Sequence, residues 1–457
     1  LPAAAPKGWG RKQRLGVAAV VLVVVAGAVT AVVQNRVRAD ERVRAAQLLA
    51  EVENLMMTGE MTEALAVAEQ AEALVPEDTA LARLLPQISF TVPIRTDPPG
   101  ASVFVQDWGG EGGEWESLGV TPLDEVRFAG VSWESPDLGV DHGEDHPSRL
   151  RFELDGYTMK ELLSTAVIGV KWRGIDPVDP VVLEPEDPEL EGMVKVPGFT
   201  MNSIQHADFF MGRYEVTNRQ FQKFVDAGGY QNPDYWIHPF MLEGRELTFE
   251  EAMAQFRDQT GRPGPGTWRV GGYPEDQADF PVGGVSWYEA AAYARFVGKE
   301  LPTTAHWARG RRYYRENSYV IAPRSNLASG GPRPVGQNEA MTTLGLYDMV
   351  GNVREWCFNE VGEGGRATRG GGWPDAPFHA GWIIPKPAFD RDPTHGFRLV
   401  RFSDDPELLE TARAPVTRTG WRDYSVEEPV SDAEFDVFRR LYAYDSYPLN
   451  SVVERVD

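Results

Sequence analysis

Three short segments that each contain glycine, and two of which contain tryptophan, follow one another in the C-terminal half of the chain; we call them the glycine-rich segments. They read Leu-Tyr-Asp-Met-Val-Gly-Asn-Val-Arg-Glu-Trp at 346–356, Arg-Gly-Gly-Gly-Trp at 369–373 and Gly-Phe-Arg at 396–398. Glycine allows tight turns of irregular backbone, and tryptophan needs a core in which to be buried. With 46 Gly and 13 Trp in the chain, the sequence predicts a compact, loop-rich domain and not disorder.

The bulk composition limits the classes of function. At 457 residues the chain is long enough for about two to four folded units. The net charge of −23 argues against a nucleic-acid partner, because phosphate binding requires a basic surface. The one cysteine, Cys357, rules out an intrachain disulfide and a cysteine-rich metal site.

An apolar run at residues 15–33 predicts a membrane anchor. Its length is close to the roughly 20 residues that a helix needs to cross a bilayer, and basic residues without any acid precede it. We therefore predict a cytoplasmic segment at 1–14 and a single transmembrane helix at 15–33. A signal peptide cleaved near Ala26-Gly27-Ala28 is the alternative. Because the chain begins with Leu1, we expect it to be part of a longer protein.

Residues 34–88 have the apolar periodicity of helices. Helix stops stand at Gly59 and at Pro76-Glu77-Asp78, so the segment is predicted to be a tetratricopeptide-like helical hairpin. One hairpin cannot bury both of its faces, which favours a stalk over a repeat array.

From residue 89 to 175 apolar and polar residues alternate as in β-strands. The segments Pro99-Gly100-Ala101, 119–122 and Gly156-Tyr157 resemble those of a PEGA domain, a small β-sandwich of bacterial cell surfaces. This resemblance implies a role in spacing or display. The Pro-rich, acidic residues 176–192 are predicted to form a linker.

Six motifs in a fixed order occupy residues 193–402. Glu-Val-Thr-Asn at 215–218, Pro-Val-Gly-Gly-Val-Ser-Trp at 281–287 and Leu-Pro-Thr at 301–303 precede the three glycine-rich segments. Thr217 and Ser286 are placed to cap helices. In this order the motifs resemble the sulfatase-modifying factor, or formylglycine-generating enzyme, family. The resemblance implies a loop-rich α+β fold related to C-type lectins.

The resemblance also implies a structural calcium site in the first glycine-rich segment. It places the side chains of Asp348 and Glu355, and the carbonyls of Gly351 and Val353, on one ion. Calcium prefers about six to eight hard oxygen ligands, which a tight loop can turn inward together. The alternative is that both carboxylates accept hydrogen bonds from backbone amides of a buried loop. We predict calcium, since two converging carboxylates without a cation would repel each other.

The reactive cysteine pair of the family is missing. The resemblance places these cysteines at Asp375 and Ala380, and neither side chain can bind copper(I), which prefers sulfur. We therefore expect no copper and no formylglycine-generating oxidase activity, and we predict that Cys357 is a buried core residue. A related branch of the fold uses a histidine-bound iron, but the histidines here are scattered along the sequence. Asp375 and His379 are the candidates for a different acid/base chemistry.

A binding pocket is the remaining candidate site. Its predicted rim consists of Trp373, Asp375, His379, Trp382, Phe389 and Arg391. Aromatic side chains with a few polar groups suit a peptide, a glycan or another cell-envelope ligand. Trp373, Trp382 and Arg391 are the main ligand-binding candidates, and burial in the core is an equal alternative for each aromatic residue.

Residues 403–457 are predicted to be an acidic linker and a helix, capped by Ser431 and Glu434, that lead toward a missing C-terminal domain. The order of parts resembles large bacterial proteins that combine a cytoplasmic serine/threonine kinase, a membrane helix and a modifying-factor domain.

The fold class expected is therefore a multidomain α+β protein. It comprises a transmembrane helix, a helical hairpin, a small β-sandwich and a loop-rich domain related to C-type lectins. The function expected is the extracytoplasmic ligand- or partner-binding region of a single-pass, kinase-linked bacterial receptor. An enzyme that uses non-cysteine residues on the same scaffold is the alternative.

Overall fold

The computed structural model describes residues 11–107, 114–130, 148–164, 179–201, 203–311, 322–338, 340–362, 364–403, 405–416 and 431–441, without the side chains of 11–28, 438 and 441. In this part of the chain, no helix is both long enough and apolar enough to cross a membrane. The predicted membrane span at 15–33 is described without side chains up to residue 28. Of the predicted cytoplasmic segment 1–14, residues 1–10 lie outside the described residues. The membrane anchor therefore stays a prediction.

Three helices form the N-terminal part of the chain: α1 (Arg11–Thr58), α2 (Met61–Leu74) and α3 (Thr79–Ile88). Gly59, which separates the first two, has a φ of +83° that favours glycine. Asp78 caps α3 by accepting hydrogen bonds from the amides of Ala80 and Leu81. The third helix closes a small core with the other two, so the predicted hairpin has one helix more than expected.

The β-domain follows directly. It consists of strands β1 (Ser89–Ile94), β2 (Thr96–Asp97), β3 (Ser102–Asp107), β4 (Glu116–Val120), β5 (Leu123–Ala129), β6 (Ser148–Glu153), β7 (Lys160–Leu163) and β8 (Val181–Val182). The sheet β4-β3-β6-β7 and the pair β1-β5 enclose a core that includes Val103, Leu150 and Phe152. Residues 131–147 and 165–178 lie outside the described residues.

The stretch 176–192, predicted to be a linker, contains the last strand of the β-domain. Strand β8 pairs in parallel with β2, and Val181 and Leu183 are buried in the core of the β-domain. The prediction followed the prolines and acids of this stretch. It overlooked that Val181 and Leu183, two positions apart, point to the same side of a strand.

The signature domain, residues 193–402, is built from short strands and helices. The strands are β9 (Met193–Val196), β10 (Phe199–Met201), β11 (Ile204–His206), β12 (Phe209–Gly212), β13 (Phe240–Leu242), β14 (Arg245–Leu247), β15 (Arg354–Val361), β16 (Gly365–Arg369), β17 (Ile384–Pro387), β18 (His395–Gly396) and β19 (Val400–Arg401). The helices are α4 (Asn218–Asp226), α5 (Phe249–Gln255), α6 (Trp287–Phe296) and α7 (Thr304–Gly310). Together with the β-domain they make the fold mixed α+β, as predicted.

Sheet β17-β16-β15-β18 brings the three glycine-rich segments together. Strand β15 begins within the first segment, β16 ends at Arg369, and β18 pairs in parallel with β15, with Glu355 opposite Gly396. Helices α4 and α6 begin at the predicted caps Thr217 and Ser286, and both form capping boxes. An aromatic core that includes Phe221, Trp287 and Trp356 fills the space beneath the sheet.

The region after residue 402, predicted to be a linker, begins with a packed helix. Helix α8 (Pro406–Arg413) buries Leu409 and Ala412 against the signature domain. Asn359 Nδ2 donates to the carbonyls of Ala412 at 2.7 Å and Ala414 at 2.8 Å. Helix α9 (Asp432–Leu441) has the predicted cap of Ser431 and Glu434, while 417–430 and 442–457 lie outside the described residues.

We expect Asn359→Ala to lower the free energy of unfolding by about 2–3 kcal/mol, because it leaves two carbonyls at the end of α8 without their shared donor. Urea denaturation of the full chain measures this. Thr411→Ala is the matched control, since Thr411 is exposed and its hydroxyl bonds only within α8, to the Leu408 carbonyl. Equal losses in the two variants would contradict the docking of α8.

Candidate functional site

A buried ion pair joins the first and third glycine-rich segments. Arg398 donates from Nε to Glu355 Oε2 and from Nη2 to Oε1, each at 2.6 Å, and both side chains are fully buried. Trp307 Nε1 also donates to Glu355 Oε2, at 2.7 Å. The remaining N–H groups of Arg398 donate to the carbonyls of Gly212 and Tyr347. One guanidinium therefore connects β12, the first segment and the start of β15.

The turn at 348–352 is held in left-handed backbone. Asp348, Gly351 and Asn352 have φ values of +55°, +85° and +57°. A Cβ at Gly351 would lie 2.5 Å from the Asn326 carbonyl oxygen, so only glycine fits there. Asp348 accepts hydrogen bonds from Asn338 Nδ2 at 2.7 Å and from the amide of Gly336 at 2.6 Å.

Glu215 is a third buried carboxylate beside this turn, and sequence reasoning gave it no role. Its oxygens accept hydrogen bonds from Asn352 Nδ2 at 2.8 Å and from the amide of Val353 at 3.1 Å. Burial, and then the charges of Asp348 and Glu355, raise the pKa of Glu215 well above its usual range. Its place in the Glu-Val-Thr-Asn motif was the available signal.

The two carboxylates predicted to bind calcium, Asp348 and Glu355, are engaged in hydrogen bonds with nitrogen atoms of the protein. Every carboxylate oxygen of Asp348 and Glu355 accepts a hydrogen bond from nitrogen, and Arg398 supplies the positive charge for Glu355. Among the residues that the structure describes, no group of three or more His, Cys, Asp or Glu is placed to hold a metal ion. Calcium at Asp348, Gly351, Val353 and Glu355 stays a prediction.

Asp375, at a position where the resemblance places a reactive cysteine, is an ion-pair partner of Arg354. Arg354 Nε donates to Asp375 Oδ2 at 2.8 Å, and Nη2 donates to Oδ1. The amide of Gly372 donates to the same Oδ2 at 2.8 Å. His379 Nδ1 is 3.9 Å from Asp375 Oδ1, which is beyond hydrogen-bond distance. The structure thus places the predicted acid/base residues, Asp375 and His379, near each other but without a hydrogen bond between them.

Two large aromatic side chains beside this turn face solvent. Phe378 is 60% exposed and Trp382 is 55% exposed. The ring of His379 contacts both, with its centroid 4.3 Å from that of Phe378 and 5.4 Å from that of Trp382, and the two larger rings are 5.8 Å apart. The short 3-10 helix Pro377–Gly381 presents these rings. We call Phe378, His379 and Trp382 the aromatic patch; Trp373, nearby in sequence, is partly buried.

Arg391 and Phe389 are partly buried and contact the interior of the signature domain, apart from the exposed aromatic patch. Arg391 donates to both carboxylate oxygens of the fully buried Glu289, at 2.9 and 3.0 Å. It also donates to the Arg257 carbonyl at 2.8 Å. Phe389 stacks on Phe256 with ring centroids 5.5 Å apart. The residues of the predicted rim therefore lie in two separate environments. The prediction missed this, because a single sequence does not reveal which arginine has a buried acid as its partner.

Comparison with known proteins places the signature domain. Residues 183–403 match the family model described as "Sulfatase-modifying factor enzyme 1-like domain". The formylglycine-generating enzyme of Thermomonospora curvata is 30% identical over 219 residues, which cover 36% of this chain and 71% of that enzyme. The chain belongs to the formylglycine-generating enzyme family.

Two further relatives of this family member have other activities in their names. Serine/threonine-protein kinase Pkn1 of Chlamydia trachomatis is 30% identical over 167 residues, 34% of this chain and 24% of the kinase. Hercynine oxygenase of Mycobacterium tuberculosis is 31% identical over 273 residues, 50% of this chain and 56% of the oxygenase. The chain thus spans about a quarter of the kinase and just over half of the oxygenase.

The reactive thiols implied by the family resemblance have no counterpart at the equivalent positions. Asp375 is held by Arg354, and Ala380 is buried. Cys357 lies on β15 in the core, where burial raises the pKa of its thiol. A protonated, inaccessible thiol is a poor nucleophile and a poor copper ligand.

Two of the histidines of this family member, distant in sequence, meet in space. His206 and His306 have ring centroids 5.5 Å apart and are packed among Phe199, Phe209 and Phe402. Both are fully buried, and His306 Nδ1 is 2.7 Å from Thr303 Oγ1. Sequence spacing could not show this pairing, because strand β11 and helix α7, which are about a hundred positions apart, supply the two rings.

We expect Glu355→Gln to lower the free energy of unfolding by about 3 kcal/mol, because it leaves the buried Arg398 without its counter-charge. Urea denaturation measures the loss. Asp279→Asn is the matched control, since the Arg219–Asp279 pair is solvent-exposed and contributes about 0–1 kcal/mol. A loss no larger than that of the control would show that the buried pair does not hold the loops.

The melting temperature of the wild-type chain tests the predicted calcium site. Since Arg398 already neutralises Glu355, calcium and a chelator should leave the melting temperature of the wild-type chain unchanged. A higher melting temperature with calcium, lost with the chelator, would support the ion that the resemblance implies.

Proposed function

We propose that this chain is the extracytoplasmic ligand- or partner-binding region of a membrane-anchored bacterial receptor linked to a serine/threonine kinase. Its formylglycine-generating-enzyme-like domain binds and does not oxidise. The observation that supports this most directly lies at 375–382. Where the family resemblance places reactive cysteines, Asp375 is held by Arg354, and the aromatic patch faces solvent beside it.

The shared domain with a named kinase supports the receptor role. The kinase and this chain share a domain of the same family. We propose that in this chain the domain is a sensor, coupled to a catalytic domain in another part of a longer protein. In this proposal the apolar run 15–33 is the single-pass anchor, and the β-domain is a PEGA-like spacer that holds the signature domain outside the cell.

The chemistry around the aromatic patch favours a ligand without strong charge. The nearest buried ion pair, Arg354 with Asp375, is internally neutralised. Exposed rings offer flat apolar faces with one imidazole for hydrogen bonding, which suits the faces of sugar rings or apolar peptide side chains. The N-acetylglucosamine rings of peptidoglycan are uncharged and present such sugar faces, so we propose peptidoglycan fragments, bound through these rings, as the ligand class.

The alternative, an enzyme that uses Asp375 and His379, has less support. A general base must reach its proton within hydrogen-bond distance, and Asp375 instead serves as the partner of Arg354.

We expect the double variant Phe378→Ala/Trp382→Ala to weaken binding of soluble peptidoglycan fragments at least about tenfold, because it removes both exposed rings. Isothermal titration calorimetry of the full chain in detergent measures this. Phe435→Ala is the matched control, since Phe435 on α9 is also exposed but lies outside the signature domain.

Unchanged affinity in the double variant, or no binding of such fragments by the wild type, would overturn the proposed ligand class. Chemical conversion of the fragments by the wild type, lost in Asp375→Asn and in His379→Ala and retained in the double variant, would favour the enzyme alternative.

A further inference from the structure

The β-domain and the signature domain meet at the residues just before the first glycine-rich segment. The amide of Leu163 on β7 donates to the Thr343 carbonyl at 3.3 Å. Gly345 has a φ of +85°, and a Cβ there would lie 2.4 Å from the Glu161 carbonyl oxygen. The two backbones approach so closely at this position that only glycine fits.

A buried hydroxyl and a buried carboxylate lie at the centre of this interface. Tyr347, in the signature domain, donates from its hydroxyl to Glu161 Oε2 on β7 at 2.8 Å. Arg149 on β6 donates to the same hydroxyl, and its guanidinium lies over the Tyr347 ring at 5.5 Å. Both Tyr347 and Glu161 are buried, so solvent does not compete for these bonds.

Cations from both domains surround Glu161. Arg149 and Arg151 belong to the β-domain, while Arg213 comes from the signature domain and lies 3.5 Å from Glu161 Oε2. Arg213 also donates to the Met159 carbonyl at 3.0 Å. Burial alone would raise the pKa of Glu161, but the Tyr347 hydroxyl and the arginines outweigh it and lower the pKa. The carboxylate is therefore charged and depends on partners from both sides of the interface.

The backbone of Tyr347 contacts the buried ion pair of the signature domain. Its carbonyl accepts a hydrogen bond from Arg398 Nη2 at 2.9 Å, and its amide donates to the Arg213 carbonyl at 3.0 Å. The next residue is Asp348, at the start of the left-handed turn. A shift of Tyr347 thus moves the residues that shape the first glycine-rich segment.

The β-domain is in turn bonded to the helices. Arg127 on β5 pairs with Glu72 on α2 at 2.6 Å, and the amide of Gly130 donates to the Ile88 carbonyl of α3. Bonded contacts therefore connect the signature domain, the β-domain and the helices that continue from the predicted anchor.

From these contacts we infer that Tyr347 and Glu161 form an interdomain latch, by which the β-domain positions the first glycine-rich segment and senses its displacement. The latch exists independently of any ligand. The use of the latch in signalling rests on the proposed function. Hydrogen exchange measures the latch without any ligand, so a failure of the latch is distinguishable from a failure of the proposed receptor function.

Hydrogen exchange of the full chain in detergent tests the latch through Tyr347→Phe, which removes one hydroxyl and keeps the ring. We expect amides of β7, in the other domain, to exchange about tenfold faster, because their local opening no longer requires breaking the hydroxyl bonds. Tyr288→Phe is the matched control. Its hydroxyl accepts from the Met241 amide and donates to the Pro239 carbonyl, both within the signature domain, so β7 exchange should not change.

A double variant, Tyr347→Phe with Glu161→Gln, tests whether the two groups act together. For a latch, the double variant should exchange at β7 little faster than the more severe single variant, because each change removes the charge-assisted hydrogen bond from the Tyr347 hydroxyl to the Glu161 carboxylate. Effects that multiply, or a Tyr347→Phe variant with unchanged β7 exchange, would overturn the inference. If Glu161→Gln does not fold, the Tyr347→Phe arm still decides.

Discussion

The signature domain depends on a positive charge enclosed within it. Arg398 reaches from the third glycine-rich segment to Glu355 in the first, and it also binds backbone carbonyls of β12 and of the turn before Asp348. Burial of a charged pair is costly unless geometry and further hydrogen bonds compensate, and here Trp307 and the carbonyls complete the set. The short strands and loops of the domain are arranged around this group, so the motifs are kept together in space although they are separated in sequence.

This arrangement explains how a chain can retain the family motifs without the cysteine pair that the resemblance implies. The glycines and the Glu355–Arg398 pair shape the backbone, and none of these residues needs to be the reacting group. The thiols implied by the resemblance belong to a separate turn, at 375–380, where this chain has an Arg354-bound aspartate and a buried alanine. A scaffold with an exposed aromatic patch at that turn suits the binding of a ligand. In our proposal, the latch between Tyr347 and Glu161 transmits a displacement caused by binding from the signature domain to the β-domain.

Features encoded by local chemistry could be predicted from the sequence. The capping boxes at Thr217, Ser286 and Ser431 follow from one side chain and the residue three positions later. The mixed α+β fold and the family followed from ordered motifs. Features that depend on distant partners could not be predicted. Arg391 was assigned to a ligand because its partner, Glu289, lies about a hundred positions away, and Glu215 was overlooked for the same reason. The strand at Val181–Val182 was hidden by the prolines and acids around it.

We propose that this chain keeps the scaffold of its family and does not carry out the cysteine-dependent oxidation. The most direct measurement is mass spectrometry of a cysteine-containing sulfatase-type peptide after incubation with the full chain, copper(I), oxygen and a thiol reductant. We expect the chain to convert no more of the peptide cysteine to the aldehyde than buffer that contains copper but no protein. Conversion of the cysteine to the aldehyde, at a rate above that control, would contradict it.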